Sequence, residues 1–147
     1  AAFAAQNRGA GNDKRGRQAL LCGIRVCIIF GLFTTLVVHF CAEWIISLFV
    51  SHEPEVVRLG GEYFRTYVID CIFAGIHFCF SGYFSAYGKS IYSFLHNMIS
   101  IVTVRVPGTY LFPETLSPMG LAAPMGSLLS AVICVGIYMW KFRKSEN

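Results

Sequence analysis

Four long stretches of this 147-residue chain carry no charged side chain: residues 26–42, 71–88, 90–104 and 115–140. Crossing about 30 Å of hydrocarbon takes about 20 helical residues. With flanks such as 19–25 and 59–69 added, the stretches read as four spanning helices over 19–48, 55–85, 90–112 and 120–141. Composition agrees, since charged residues make up 14 % of the chain against about 25 % in a soluble domain. A soluble bundle is the competing reading, but a buried helix rarely stays apolar all round over such a length. Disorder is excluded, and the composition argues against an ordinary soluble enzyme. The expected fold is an all-α, polytopic transmembrane helical bundle.

The connections carry their own signals. Glu53-Pro54-Glu55 starts a helix, with proline at the first position and acids at the positive end of the dipole. Tyr87-Gly88-Lys89-Ser90 is a short turn, and the segment from Pro113 to Gly120 is expected to lie outside the helices. Arg8, Lys14, Arg15 and Arg17 precede the first span, Lys89 sits in the second connection, and Lys141, Arg143 and Lys144 follow the last. Acids dominate the other two connections. The positive-inside rule then makes residues 1–18 a cytoplasmic loop and 142–147 a cytoplasmic basic tail. Trp44 and Trp140 suit the aromatic belts. No secretory leader is visible, and the chain opens on Ala1 within a Gly-rich polar segment, so a fragment is expected.

Several patterns carry no chemistry. Cys22, Cys27, Cys41, Cys71, Cys79 and Cys134 lack the Cys-x-x-Cys spacing of a zinc site and read as small hydrophobes. Residues 82–90 resemble a phosphate loop but hold five residues between the glycines and follow a helix rather than a strand. Arg58, Glu62 and Arg65 read as ion pairs at a span end. With no nucleophile–base pair and no metal set, neither an enzyme nor a nucleic-acid binder is expected.

Asp70 is the informative residue. It lies midway between Pro54 and Ala86, near the centre of the expected second span. A carboxylate there costs at least about 2.5 kcal/mol, so it faces a bundle interior or a hydrated cavity. Tyr63, Thr66, Tyr67, Asp70, His77, Ser81 and Ser85 share one side of that helix, opposite Val68, Ile72, Ile76 and Cys79. Two readings stay open: Asp70 fixes packing through Thr66 or a neighbouring helix, or it binds a proton or a sodium ion. The candidate coupling residues are Asp70, Thr66, Tyr67, His77 and Ser81. Arg105 and Pro107 in the third span are structural or gating candidates: Arg105 either pairs with a carboxylate of a neighbouring helix or snorkels outward, and Pro107 is a point where the helix loosens. His96 and Asn97 are further candidates to face the interior, and Pro124 is expected in the first turns of the fourth span.

Gln6-Asn7-Arg8-Gly9-Ala10-Gly11, followed by a basic run, resembles the Q-N-x-G-A-G loop of the multidrug and toxic compound extrusion (MATE) family of antiporters. Leu48-Phe49 with Glu53-Pro54-Glu55-Val56, then Tyr63-Phe64-Arg65, Arg105-x-Pro107 with Tyr110-Leu111, and Gly120-Leu121-Ala122-Ala123-Pro124 follow in the family's order. Glu53 stands where the family has Asp, and its intramembrane carboxylate would align with Ala74, one turn from Asp70. The resemblance implies helices nine to twelve of a twelve-helix, two-lobed transporter in the plasma membrane. Such a protein exports small organic cations or drugs by alternating access, driven by Na⁺ or H⁺ entry and without other cofactors. Its implied partners are the lipid bilayer and the remainder of the transporter, namely the first lobe and two further helices. A small four-helix membrane scaffold or oligomerising subunit without transport activity is the second reading, and an upstream reading frame encoding about eight more spans separates the two.

Overall fold

A computed structural model describes residues 1–50, 53–111 and 116–142. Every regular element among them is helical: α1 (Ala2–Gly9), α2 (Asp13–Ser47), α3 (Pro54–Tyr67), α4 (Asp70–Ala86), α5 (Ser90–Ser100), a π turn (Ile101–Arg105), α6 (Val106–Leu111), α7 (Leu116–Ile137) and a second π turn (Tyr138–Phe142). The chain folds as an all-α membrane bundle. Asp13–Ser47 and Met119–Lys141 are each long and apolar enough to cross a bilayer, and the bent pair α3–α4 makes a third crossing if taken as one broken span. The third expected span, over 90–112, is divided among α5, the π turn and α6, none of them long enough alone.

The expected loop over residues 1–18 is helical instead. Ala2–Gly9 is rich in strong helix formers, and the chain reverses at Gly11, whose φ of 70° suits glycine. Asn12 then caps α2 by accepting from the Arg15 amide at 3.4 Å. Ala4 of α1 is buried in a cluster with Leu20, Phe80, Tyr83, Phe84 and Cys134, so the segment docks on α2 and α4 rather than hanging free.

The second span departs from a continuous helix. It breaks at Val68 and Ile69 and bends by 41°, which makes Asp70 the first residue of α4 rather than a mid-helix residue. Across the break the amides of Cys71 and Ile72 bond three residues back, at 3.0 and 3.2 Å, tightening the turn. Buried Val68 anchors it among Val38, Ala42, Ile45 and Phe64. No proline or glycine sits at the break; the packing of Val68 turns the chain there, and the acid that follows suits a helix N-terminus. The third span loosens as expected before Pro107, which has no N–H for the Thr103 carbonyl, and the π turn takes up the slack. α7 starts at Leu116, earlier than expected, because Pro118 falls in its first turn, where amides have no helical partner. Pro124 therefore sits inside the helix, not in its first turns.

Small residues set how closely the helices approach. A Cβ on Gly31 would meet Ile72 Cγ1 at 2.7 Å and its Cα at 3.0 Å; one on Gly75 would meet Cys27 Cβ at 2.7 Å; one on Gly61 would meet Glu43 Cγ at 2.8 Å. These contacts press α2 against the α3–α4 pair on both sides of the bend, while α7 packs on the other side of α4. Gly23 differs, since its Cβ would meet only the Cys79 sulfur, at 3.4 Å. In the full-length protein in detergent, Gly31→Ala is expected to lower stability by about 1–3 kcal/mol through overpacking, whereas Gly23→Ala stays within about 0.5 kcal/mol. Thermal melts of the two variants check this, and equal melting temperatures would contradict the close approach at Ile72.

Candidate ion-coupling site

The bend in the second span and the π turn in the third bring two opposite charges together inside the bundle. Asp70 is buried at the start of α4, 8 % exposed, where the helix dipole favours its negative charge. Its Oδ1 lies 3.9 Å from Nη2 of Arg105, the last residue of the π turn. That distance allows charge attraction but no hydrogen bond, and Oδ1 has no hydrogen-bond partner among the described residues. Nη2 of Arg105 donates instead to Ser127 Oγ of α7 at 2.7 Å. The arginine stem lies across Gly126, where a Cβ would fall 2.6 Å from Arg105 Cγ.

A polar interior continues from this pair. His77, two turns along α4 from Asp70, has its ring 5.5 Å from that of His96 on α5. Both are almost wholly buried, and none of their four ring nitrogens has a hydrogen-bond partner among the described residues. The Ser100 hydroxyl donates to the Gly126 carbonyl, and that of Ser130 donates to the His96 carbonyl at 3.3 Å. Ser100, Ser127 and Ser130 are all buried. Unpartnered buried polar atoms are rare in proteins and concentrate where something binds or moves.

Of the residues singled out from sequence, Asp70, His77 and Arg105 converge here, with Pro107 two positions beyond Arg105. Thr66 donates its hydroxyl to its own helix, to the Tyr63 carbonyl at 2.8 Å, and packs against Gly120. Tyr67 is exposed and stacks on Tyr63 at 5.7 Å. Ser81 is half-buried, and its carbonyl accepts from the Ser93 hydroxyl at 3.0 Å. Sequence reasoning missed Ser100, Gly126, Ser127 and Ser130. Their signal was available: Ser127, Ser130 and Cys134 follow i, i+3, i+7 on an otherwise apolar helix.

The Gln6–Gly11 motif lies elsewhere, at the α1–α2 corner. Asn7 donates through its side-chain amide to the Phe3 carbonyl at 2.8 Å, and its own carbonyl accepts the Asn12 amide at 2.8 Å. Gly11 makes the reversal, while a Cβ on Gly9 would meet nothing within 4 Å. The Arg8 guanidinium lies 4.9 Å above the Tyr87 ring, and the Tyr87 hydroxyl donates to Asp13 at 2.7 Å. Burial and the Asp13 hydrogen bond hold Tyr87 protonated, above the usual tyrosine range. The motif thus clamps α1 and α2 onto the turn between α4 and α5. Arg58 pairs with Glu55 and Glu62, at 2.8 and 2.7 Å, and Arg65 with Glu43 across to α2 at 3.0 Å. The Cys27 and Cys79 sulfurs touch at 3.6 Å.

The sequence matches the MatE family model over residues 1–111. It is 30 % identical over 138 residues to the FAD transporter of Shewanella oneidensis, covering 90 % of this chain and 29 % of that protein. It is 27 % identical over 140 residues to the probable multidrug resistance protein YpnP of Bacillus subtilis, covering 95 % of this chain and 31 % of that one. The chain therefore spans less than a third of the length of either relative. No solved structure matches it.

If the charges at positions 70 and 105 sustain each other, removing one alone leaves the other uncompensated in the interior. In the full-length protein, Arg105→Gln alone is expected to destabilise more than Arg105→Gln combined with Asp70→Asn, with a coupling of about 0.5–3 kcal/mol. A double-mutant cycle on chemical or thermal unfolding measures it, and additive effects would mean the two groups act independently.

Proposed function

The chain belongs to the MatE family, and on that premise we propose that it supplies the last four helices of a cation-coupled efflux transporter. Asp70 is the coupling residue. It binds Na⁺ or H⁺ inside the bundle, and filling or emptying that site biases the whole protein between outward-open and inward-open states. The supporting observation is a buried carboxylate whose Oδ1 lacks a hydrogen-bond partner among the described residues, placed at a broken membrane helix. Coupling-ion sites in secondary transporters are commonly built at such discontinuities. His77 and His96 extend the polar interior and are available to carry protons if the coupling ion is H⁺.

The basic residues at both ends of the chain support a multi-pass protein of the plasma membrane with these ends on the cytoplasmic side. The remainder of the transporter, the first lobe and two further helices, completes the pathway. One relative is named an FAD transporter and another a probable multidrug resistance protein. Small organic cations and a flavin dinucleotide are accordingly the two cargo classes to assay. Export runs in exchange for inward movement of the ion.

The full-length transporter in proteoliposomes tests the reading, with imposed Na⁺ and pH gradients and a fluorescent organic cation or FAD as cargo. Asp70→Asn is expected to reduce gradient-driven efflux at least about tenfold, as loss of a buried, function-bearing charge should, while the protein still inserts and elutes as a folded species. Unchanged dependence on both gradients would reduce Asp70 to a packing residue.

A further inference from the structure

We infer that Arg105 is a built-in competitor of the coupling ion for Asp70, and that Ser127 sets how strongly it competes. The inference rests on Asp70 being the coupling site. One nitrogen, Nη2, is shared between the two partners: it lies 2.7 Å from Ser127 Oγ and 3.9 Å from Asp70 Oδ1. Ser127 therefore holds the guanidinium back from closing on the carboxylate. Oδ1 of Asp70 and Nε of Arg105 both remain without hydrogen-bond partners among the described residues, so the pair is not a finished salt bridge.

Charge conservation makes the arrangement an exchange. With Arg105 beside Asp70 the site is neutral, and adding Na⁺ or H⁺ without moving the arginine would leave a net positive charge in a low-dielectric interior. Letting the arginine retreat as the ion arrives keeps the site neutral throughout. Arg105 is the partner with room to retreat, since 34 % of its side chain is exposed against 12 % for Asp70. Gly126 makes this placement possible. A Cβ there would lie 2.6 Å from Arg105 Cγ and 3.0 Å from Nε, so any side chain would displace the arginine stem. Arg105 is thus a positioning and specificity residue that weakens ion binding enough for release on the far side.

The test is the half-saturating concentration of Na⁺, and separately of H⁺, for efflux by the full-length transporter in proteoliposomes. Ion-induced thermal shifts in detergent give a readout independent of transport. Arg105→Gln is expected to lower half-saturation about tenfold, within the usual range of coupling between sites. Arg105→Lys should restore it to near wild type, and Ser127→Ala, which frees the guanidinium to close on Asp70, should raise it about threefold or more. Ser127→Ala removes no charge, so it tests the sign even where Arg105→Gln is too unstable to assay. If Asp70→Asn abolishes ion dependence while the Arg105 and Ser127 variants keep wild-type half-saturation, the competition is refuted and the Asp70 reading stands. If Asp70→Asn keeps ion dependence, the Asp70 reading falls and this inference falls with it.

Discussion

In hydrocarbon every backbone amide and carbonyl needs a partner within the protein, so a spanning helix can break only where its neighbours cover the break. Among the described residues the second and third spans each hold such a place, and the two face each other. The second span breaks at Val68 and Ile69, under cover of Val38, Ala42 and Phe64. The third widens into a π turn at Ile101–Arg105, against Gly126 and Ser127 of α7. Each irregularity delivers one charge to the same point. Asp70 emerges at a helix N-terminus, and Arg105 closes the π turn. Regular helices at both positions would turn these side chains differently, and the pair would not meet.

Glycine lets the surrounding helices come close enough to seal the region. Gly31 and Gly75 bring α2 onto α4 just below the bend, and Gly61 brings it onto α3 just above. On the opposite side Gly108 meets Ala122 and Gly126 meets Arg105. Association of membrane helices gains nothing from expelling water, so close backbone approach and buried hydrogen bonds are the remaining sources of cohesion. The serines of α5 and α7 supply such bonds, from Ser100 to Gly126 and from Ser130 to His96. Packing and polar interior are therefore one construction, with small residues admitting the chain and hydroxyls tying it down.

Much of this was legible in the sequence because charge is so scarce. An acid and an arginine within long apolar stretches announce themselves, and helical periodicity placed His77 on the face of Asp70. The bend was not legible, since Val68 and Ile69 sit comfortably in membrane helices and only tertiary packing decides that they turn. The part of α7 that lines the site was also missed. Ser127 and Ser130 are small and uncharged, and a hydroxyl shows its role only when its acceptor or donor is seen on another helix. The α1–α2 corner misled in the other direction: a glycine-rich, basic segment reads as a loop, yet Ala4 and the Arg8–Tyr87 contact anchor it to the bundle.

A carboxylate that binds a passing ion has to satisfy two opposed demands. It must stay tolerable in the interior when the ion is absent, and it must not hold the ion so tightly that release fails. A fully formed, hydrogen-bonded salt bridge would meet both demands yet defeat binding itself, because the ion could not break it. A lone buried acid would fail the first. An arginine held at 3.9 Å, anchored on a serine of a third helix, lies between these extremes. It neutralises the charge from a distance while leaving an oxygen free to accept a cation. Placing the anchor on α7 rather than on α4 or α5 also matters. Under the proposed coupling role, any relative movement of α7 against α4 would change the separation of arginine and acid and with it the affinity for the ion, which is the physical requirement for an ion gradient to drive a conformational cycle.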